Sequence, residues 1–271
     1  VNDPTIAFIG AGNMARSLVS GLLAGGLEPS CIRASDPAAA QREALRGLGI
    51  ATSADNAATI RAADVVVLAV KPQVLKAVVC ALPLHREQLI LSIAAGVPIA
   101  SLERWSATEQ PIVRCMPNTP ALLGAGITGL YANAAVSRAA RELAERVLGA
   151  AGRILWVAAE SDLDAVTAVS GSGPAYFFYL MEAMIEAGET LGLPRESAIA
   201  LTLETAYGAA LMARETDVDP ASLRHNVTSP GGTTERALTI LDDAGARRII
   251  VDAVRGAAVR ARELAKEFGQ P

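Results

Sequence analysis

The chain has 271 residues, 51% of them apolar, 19% charged and only 4% aromatic, and its formal net charge is -4. A chain of this length and apolar content buries on the order of three quarters of its unfolded surface, which excludes disorder; at roughly 150 residues per domain it leaves one large domain or two modest ones. The acidic balance, with arginines scattered singly, argues against a nucleic-acid partner. Cys31, Cys80 and Cys115 lie far apart without CxxC spacing. Neither a disulfide framework nor a thiolate metal site is therefore expected, and a reducing cytoplasm fits best.

In chain order, short β-branched runs alternate with alanine-rich helical stretches up to about residue 158. The first strand is expected over residues 5–9, with no basic leader or long apolar stretch before it, so no secretory signal is expected. Further strands are expected over 32–35, 65–70, 89–92, 112–115, 128–131 and 154–157, with helices over 14–23, 38–48 and 138–148. Residues 65–70 are apolar at every position, the pattern of a strand covered on both faces. The alternation predicts an α/β fold, a parallel doubly wound sheet, over residues 1–158. The uncharged stretch 115–137 is long enough for a bilayer, but Pro117, Asn118, Pro120 and Asn133 break it, so no membrane segment is expected.

Over residues 159–271 the strands stop and an all-α domain is expected, with helical periodicity over 174–191, 195–214, 220–226, 234–241 and 246–268. The stretch 195–214 is apolar or small on almost every face. Such a helix is normally buried, and ~110 residues make a poor private core for several of them. This half is therefore expected to interleave with the same half of a partner subunit.

Ile9-Gly10-Ala11-Gly12-Asn13-Met14-Ala15 follows the first strand and opens the first helix. It is the GxGxxA dinucleotide fingerprint: Gly10 for the tight turn, Gly12 for close approach of the pyrophosphate, Ala15 for helix packing on the sheet. Amides at the helix start then meet the phosphates. Asp36 ends the second strand 24 residues after Gly12, near where an acidic side chain accepts from the adenosine ribose and repels a 2′-phosphate; this favours NAD over NADP. The alternative is that Asp36 caps the helix beginning near Ala38. Lys71, after the buried strand, and the loop 92–96 stand where an open α/β sheet places its ligand, although Lys71 also reads as a solvated loop cation. Met116-Pro117-Asn118-Thr119-Pro120 lies at another strand end, with Asn118 and Thr119 beside the expected nicotinamide.

In the helical half, Asn226-Val227-Thr228-Ser229-Pro230-Gly231-Gly232-Thr233-Thr234 is the densest polar loop. Its glycines and threonines at a helix start suit a small carboxylate, or form only a glycine turn with a threonine cap. Ser170-Gly171-Ser172-Gly173-Pro174 reads as a turn with proline at the first helical position. His85 and His225 are the only histidines, and with no HxH or HxxxH spacing no metal site is expected. No GxSxG elbow or Cys-His pair is evident. A reaction needing little protein acid or base is indicated, such as hydride transfer to an already polarised acceptor.

These segments together resemble the pyrroline-5-carboxylate reductase family, bacterial type. The resemblance runs through FIGAGNMA at 8–15, AVKPQ at 69–73, SIAAGV at 92–97, RCMPNTP at 114–120, DAVTAVSGSGPAY at 164–176 and VTSPGGTTERAL at 227–238. It implies a Rossmann domain plus an all-α dimerisation domain, homodimers often assembled into decamers, and reduction of L-1-pyrroline-5-carboxylate to L-proline with NADP(H) or NAD(H), the last step of proline biosynthesis. Carried over, it places the pyrophosphate on Ile9, Gly10, Ala11, Gly12, Asn13 and Met14 and the ribose edge near Ser35 and Asp36. Further cofactor contacts fall on Asn56, Ala69, Val70, Lys71, Pro72 and Ala95. The substrate carboxylate meets Ser229, Gly232 and Thr233, the Thr234 hydroxyl bonds the ring nitrogen as the catalytic group, and Glu160 and Asn226 line the pocket. Asp36 departs from relatives that prefer NADPH. A hydroxyacid-type dehydrogenase is disfavoured, because the lysines are Lys71, Lys76 and Lys266 only and none sits where those enzymes carry a catalytic lysine. A non-catalytic nucleotide sensor is disfavoured by the intact SPGGTT loop.

Overall fold

The structure is a computed structural model that describes residues 3–106 and 109–269. Its contacts divide the chain into two compact units: the chain up to Ser172 joined by the chain from Ala257 onward, and Gly173–Gly256.

The first unit is built on one eight-stranded sheet in the order β3-β2-β1-β4-β5-β6-β7-β8. The strands are β1 (Ile6–Ile9), β2 (Ile32–Ser35), β3 (Ala51–Ser53), β4 (Val65–Leu68), β5 (Leu89–Ser92), β6 (Ile112–Met116), β7 (Gly126–Ala132) and β8 (Gly152–Trp156). Both faces are covered by α1 (Asn13–Ala24), α2 (Ala39–Arg46), α3 (Asn56–Ile60), α4 (Pro72–Ala81), α5 (Ile99–Ser106), α6 (Arg138–Gly149) and α7 (Asp162–Val166). Alternate residues of β1 therefore enter separate cores, Ile6 and Phe8 one, Ala7 and Ile9 the other. This is why the central strands carry no polar face. The order reverses between β1 and β4, which opens the crevice where ligands of such sheets lie.

One expectation of the sheet is corrected. β1 to β6 are parallel, but β7 runs antiparallel to β6, with Cys115 opposite Leu130, and β8 is parallel to β7. Residues 117–125 join β6 to β7 through a short 3₁₀ turn, Thr119–Leu123. A parallel return needs a crossover of about a dozen residues or more, so this shorter link turns the strand back.

The compact units also differ from the change in composition at 158/159. α7 packs on β7 so closely that a Cβ on Gly129 would come within 2.6 Å of Val166. At the other end, Phe268 joins the core of the sheet, and the Gly269 carbonyl accepts from Ser101 Oγ at 3.2 Å and from Arg104 at 2.9 Å.

The second unit contains α8 (Gly173–Thr190), α9 (Arg195–Glu215), α10 (Pro220–Asn226), α11 (Thr233–Asp243) and the first half of α12 (Ala246–Phe268). Its interior is thin. Among its described residues Ala198 is the one apolar side chain in the buried core, while Phe177, Phe178, Leu201, Met212, Ile249 and Ile250 are exposed, and Tyr179 is 77% exposed. The apolar α9 is thus uncovered in a single chain. No helix among the described residues is long and apolar enough to cross a membrane.

Candidate active site

The fingerprint lies at the β1–α1 junction. Gly10 adopts φ +100°, and a Cβ there would stand 2.7 Å from the Ala69 carbonyl oxygen, so a larger residue is barred twice over. Its amide donates to the Ser35 carbonyl at 2.8 Å, and the Ala69 amide donates to the Ile9 carbonyl at 2.8 Å. These bonds lock the loop between the ends of β2 and β4. Ile9, Gly10 and Ala11 are buried and shape the loop from beneath, whereas Gly12, Asn13 and Met14 reach the surface. Around Gly12 a Cβ would meet nothing within 4 Å. Open space above the first amides of α1 is the cradle a pyrophosphate requires, so the residues fit a dinucleotide.

Asp36 serves the loop as well as the surface. Its Oδ2 accepts the Ala11 amide at 2.9 Å and its Oδ1 the Ala38 amide at 2.8 Å. The Oδ1 bond is a turn two residues long just ahead of α2, whose own N-cap, Ala38, has no side-chain cap, and the Oδ2 bond ties the same side chain to the fingerprint. Ser35 is 0% exposed, and its hydroxyl donates to Asn56 Oδ1 at 2.7 Å. It orients Asn56, which is partly exposed, instead of presenting its own surface. Arg42 donates to the carbonyls of Asp36 and Pro37 at 2.7 and 2.9 Å, stiffening the same edge.

At the end of β4, Ala69 and Val70 are half-buried, Lys71 is exposed as the N-cap of α4, and Pro72 opens that helix. Ala95 is half-buried in the loop after β5. Asn118, expected beside the nicotinamide, is buried just past the end of β6, and its Oδ1 accepts the Ile127 amide at 2.9 Å. It fixes the start of β7.

Glu160 holds Arg114, a residue not singled out in the sequence. Glu160 Oε1 accepts from Arg114 at 2.9 Å and from the Ile99 amide at 2.8 Å, with the two side chains 27% and 8% exposed. The missed signal is an arginine inside the apolar strand IVRCM, which burial forces to find a partner. Nearby, burial raises the Asp164 carboxyl above its ordinary value, opposed by Arg114 and Arg262 and reinforced by Glu160. Burial likewise pushes the Cys115 thiol up, which leaves it inert.

In the second unit, Asp219 caps α10 by accepting the amides of Ala221 and Ser222. The Ser222 hydroxyl and amide hold its carboxyl below the ordinary carboxylate range. α10 ends at Asn226, and the loop reaches α11 through Gly231, at φ +70°, and Gly232, the N-cap. The Gly231 amide donates to Glu235 at 2.7 Å and the Gly232 amide to the Ser229 carbonyl at 3.0 Å. With those two amides satisfied, the first amides of α11, at Thr233 and Thr234, have no bonded partner among the described residues and remain for a ligand. Ser229 and Thr233 are exposed and Thr234 is half-buried. Glu235, also unmarked in the sequence, closes the loop by reaching back from the first turn of α11 to the Gly231 amide. Among the described residues no group of three or more His, Cys, Asp or Glu side chains could hold a metal ion.

A dinucleotide cradle at the switch point of a doubly wound sheet, with a polar anion loop on an appended helical unit, defines a dinucleotide-dependent oxidoreductase. The family described as pyrroline-5-carboxylate reductase dimerisation matches residues 160–264, and the one described as NADP oxidoreductase, coenzyme F420-dependent, matches residues 5–96. The chain is 56% identical over 273 aligned positions to the pyrroline-5-carboxylate reductase of Pseudomonas aeruginosa, covering 100% of both chains. The chain belongs to the pyrroline-5-carboxylate reductase family. Among solved structures, a pyrroline-5-carboxylate reductase from Coxiella burnetii matches with a TM-score of 0.91 and 42% identity over 100% of both chains. A pyrroline carboxylate reductase from Plasmodium falciparum with NADP bound matches with a TM-score of 0.87 and 29% identity, covering 97% of this chain and 98% of that one.

Proposed function

We propose that the chain reduces L-1-pyrroline-5-carboxylate to L-proline, using NADPH or NADH, as the last step of proline biosynthesis. The observation that carries this reading is the α10–α11 loop: open helix-start amides beside the Ser229 and Thr233 hydroxyls, with the Thr234 hydroxyl one residue into the helix. Such a group binds a small carboxylate without a basic side chain.

Gly12, Asn13 and Met14 take the pyrophosphate, and Asp36 and Asn56 take the adenosine ribose. Ala69, Val70, Lys71, Pro72 and Ala95 wall the remainder. The bound dinucleotide supplies a hydride to the imine carbon. Ser229, Gly232 and Thr233 hold the substrate carboxylate, and the Thr234 hydroxyl accepts from the ring N–H. A protonated imine is already electrophilic, so no side chain has to donate a proton first. Orientation then supplies most of the acceleration. Because Glu160 Oε1 is committed to Arg114 and Ile99, only Oε2 is left for a ligand.

The uncovered apolar face of α8, α9 and α12 supports pairing of two chains as a homodimer, with further assembly to decamers, and the three free cysteines support a reducing cytoplasm. Division of labour between a cofactor domain over 1–158 and a dimerisation and substrate domain over 159–271 completes the reading. The test is loss of NADPH or NADH absorbance on adding pyrroline-5-carboxylate, with proline as product. No turnover with either dinucleotide overturns it.

A further inference from the structure

Met116 and Gly171, from the segments 116–120 and 170–174, stand far apart in the chain, and neither has a role in the site above. The structure brings them together. Met116 ends β6, and a Cβ added at Gly171 would come within 2.5 Å of the Met116 terminal methyl, with the Thr167 side chain at 3.7 Å. We propose that Gly171 is a positioning residue, which by lacking a side chain seats Met116 as an apolar wall at the hydride-transfer end of the cofactor edge. This rests on the reductase reading.

The location follows from the sheet. β4, β5 and β6 are parallel neighbours, so Met116 stands on the same edge as Ala69–Pro72 and the loop that holds Ala95. Asp36 marks the adenosine end, on the β2 side of the switch point, and a dinucleotide lying across that point puts its reactive ring over β4 to β6. Met116 is half-buried, so part of it is available to a ligand. A thioether is soft enough to fit a ring and apolar enough to exclude water from the path of a hydride.

The segment that carries Gly171 is shaped for this contact. Thr167–Gly171 is a π-helical turn, closed by the Ser172 amide donating to the Thr167 carbonyl at 2.8 Å. The Thr167 and Ser170 hydroxyls donate to the carbonyls of Leu163 and Val166 at 2.7 and 2.9 Å. Single π-helical turns are rare and occur frequently at functional sites. Gly171 has no positive φ, so its backbone would accept alanine. Glycine is required here by the space Met116 occupies. Behind the turn, α7 is pressed onto β7 at Gly129, which blocks retreat. A methyl group at 171 is therefore relieved by the far end of the methionine, which moves without disturbing the fold.

The experiment compares G171A, M116V and the double variant in the full-length enzyme. Each single variant is expected to lose kcat by about 10-fold or more, since a small misplacement at the reacting centre costs that much. NADPH affinity by fluorescence titration and the thermal midpoint should stay near wild type. In the double variant the methyl at 171 fills the space left by the methionine terminus, so kcat recovers above the product of the two single losses. Wild-type kcat and KM in G171A overturn the proposal, as does a double variant whose losses simply multiply. If G171A fails to fold, M116V decides alone, and unchanged kcat there overturns it. A wild-type chain with no turnover overturns the reductase reading, and the proposal with it.

Discussion

The carboxylate of Asp36 reaches from the end of β2 to accept the amide of Ala11, at 2.9 Å, inside the glycine fingerprint. One side chain therefore both fixes the fingerprint loop and places negative charge beside it, where the proposed function puts the adenosine ribose. D36S removes the repulsion of a 2′-phosphate and loosens the loop. The expected result is a fall in kcat/KM with NADH and a shift of the NADPH-to-NADH ratio of kcat/KM by about 10-fold or more toward NADPH. Steady-state kinetics with both dinucleotides read this directly. A wild-type enzyme strongly preferring NADPH would show that the Asp36 charge does not select the cofactor.

Thr234 stands one residue into α11 and holds the ring nitrogen in the proposed mechanism. T234A should lower kcat/KM by ~10-fold or more, because one positioned hydrogen bond in a dry site is worth about 1.4 kcal/mol or above. Turnover of the variant with pyrroline-5-carboxylate is the measurement, and wild-type turnover removes Thr234 from the mechanism.

The Arg114–Glu160 pair makes an asymmetric prediction. Removing Glu160 strands a nearly buried guanidinium, whereas removing Arg114 leaves a carboxylate that is 27% exposed and can turn to water. E160A should therefore cost about 3 kcal/mol of stability, and R114M distinctly less. Urea unfolding of the two variants at one protein concentration compares them. Equal losses would mean that desolvation of the arginine does not dominate.

What could be read from the sequence was what is local and periodic. The fingerprint announces itself because Gly10 and Gly12 have no other use between a buried strand and a helix. The helices of the second unit follow from spacing alone. β3 and α3 were missed because Ala51–Ser53 and Asn56–Ile60 are short and partly polar, with nothing to set a period. The reversal of β7 depends on the length of a link and not on the strand's own residues. Ser35 sits at the expected strand end, yet whether a serine faces a ligand or a neighbouring asparagine depends on the packing of α3. The contact of Gly171 with Met116 joins residues 55 apart (171 minus 116), and no local pattern encodes it.

Asp164 gives the protein a pH signature. Burial raises its carboxyl from the ordinary 3.8, against Arg114 and Arg262, so the folded form keeps the proton longer than the unfolded chain does. Between the two values the folded state binds more protons, and stability contributed by this site falls as pH rises. D164N lacks the effect. Its thermal midpoint, relative to wild type, should climb as pH rises from about 3.5 through the carboxylate range. A midpoint difference that is flat or falls across that window would contradict the assignment.

The uncovered face of the second unit yields the last prediction. Tyr207 is 65% exposed on α9 and lines an apolar groove with Phe177, Leu180, Met184 and Leu203. Eighty-four residues (173–256) whose apolar interior is one alanine cannot offset their own chain entropy by burial within one copy. Pairing of two copies supplies the missing core. In sedimentation equilibrium the wild type should therefore remain at least dimeric at micromolar concentration, and its thermal midpoint should rise with concentration. Y207E puts a charge into the paired surface, a change expected to cost about 3 kcal/mol and weaken the dimer by roughly 100-fold; Y207F should pair like wild type. A wild-type monomer at micromolar concentration would overturn the shared core, and unchanged association of Y207E would place the interface on another face.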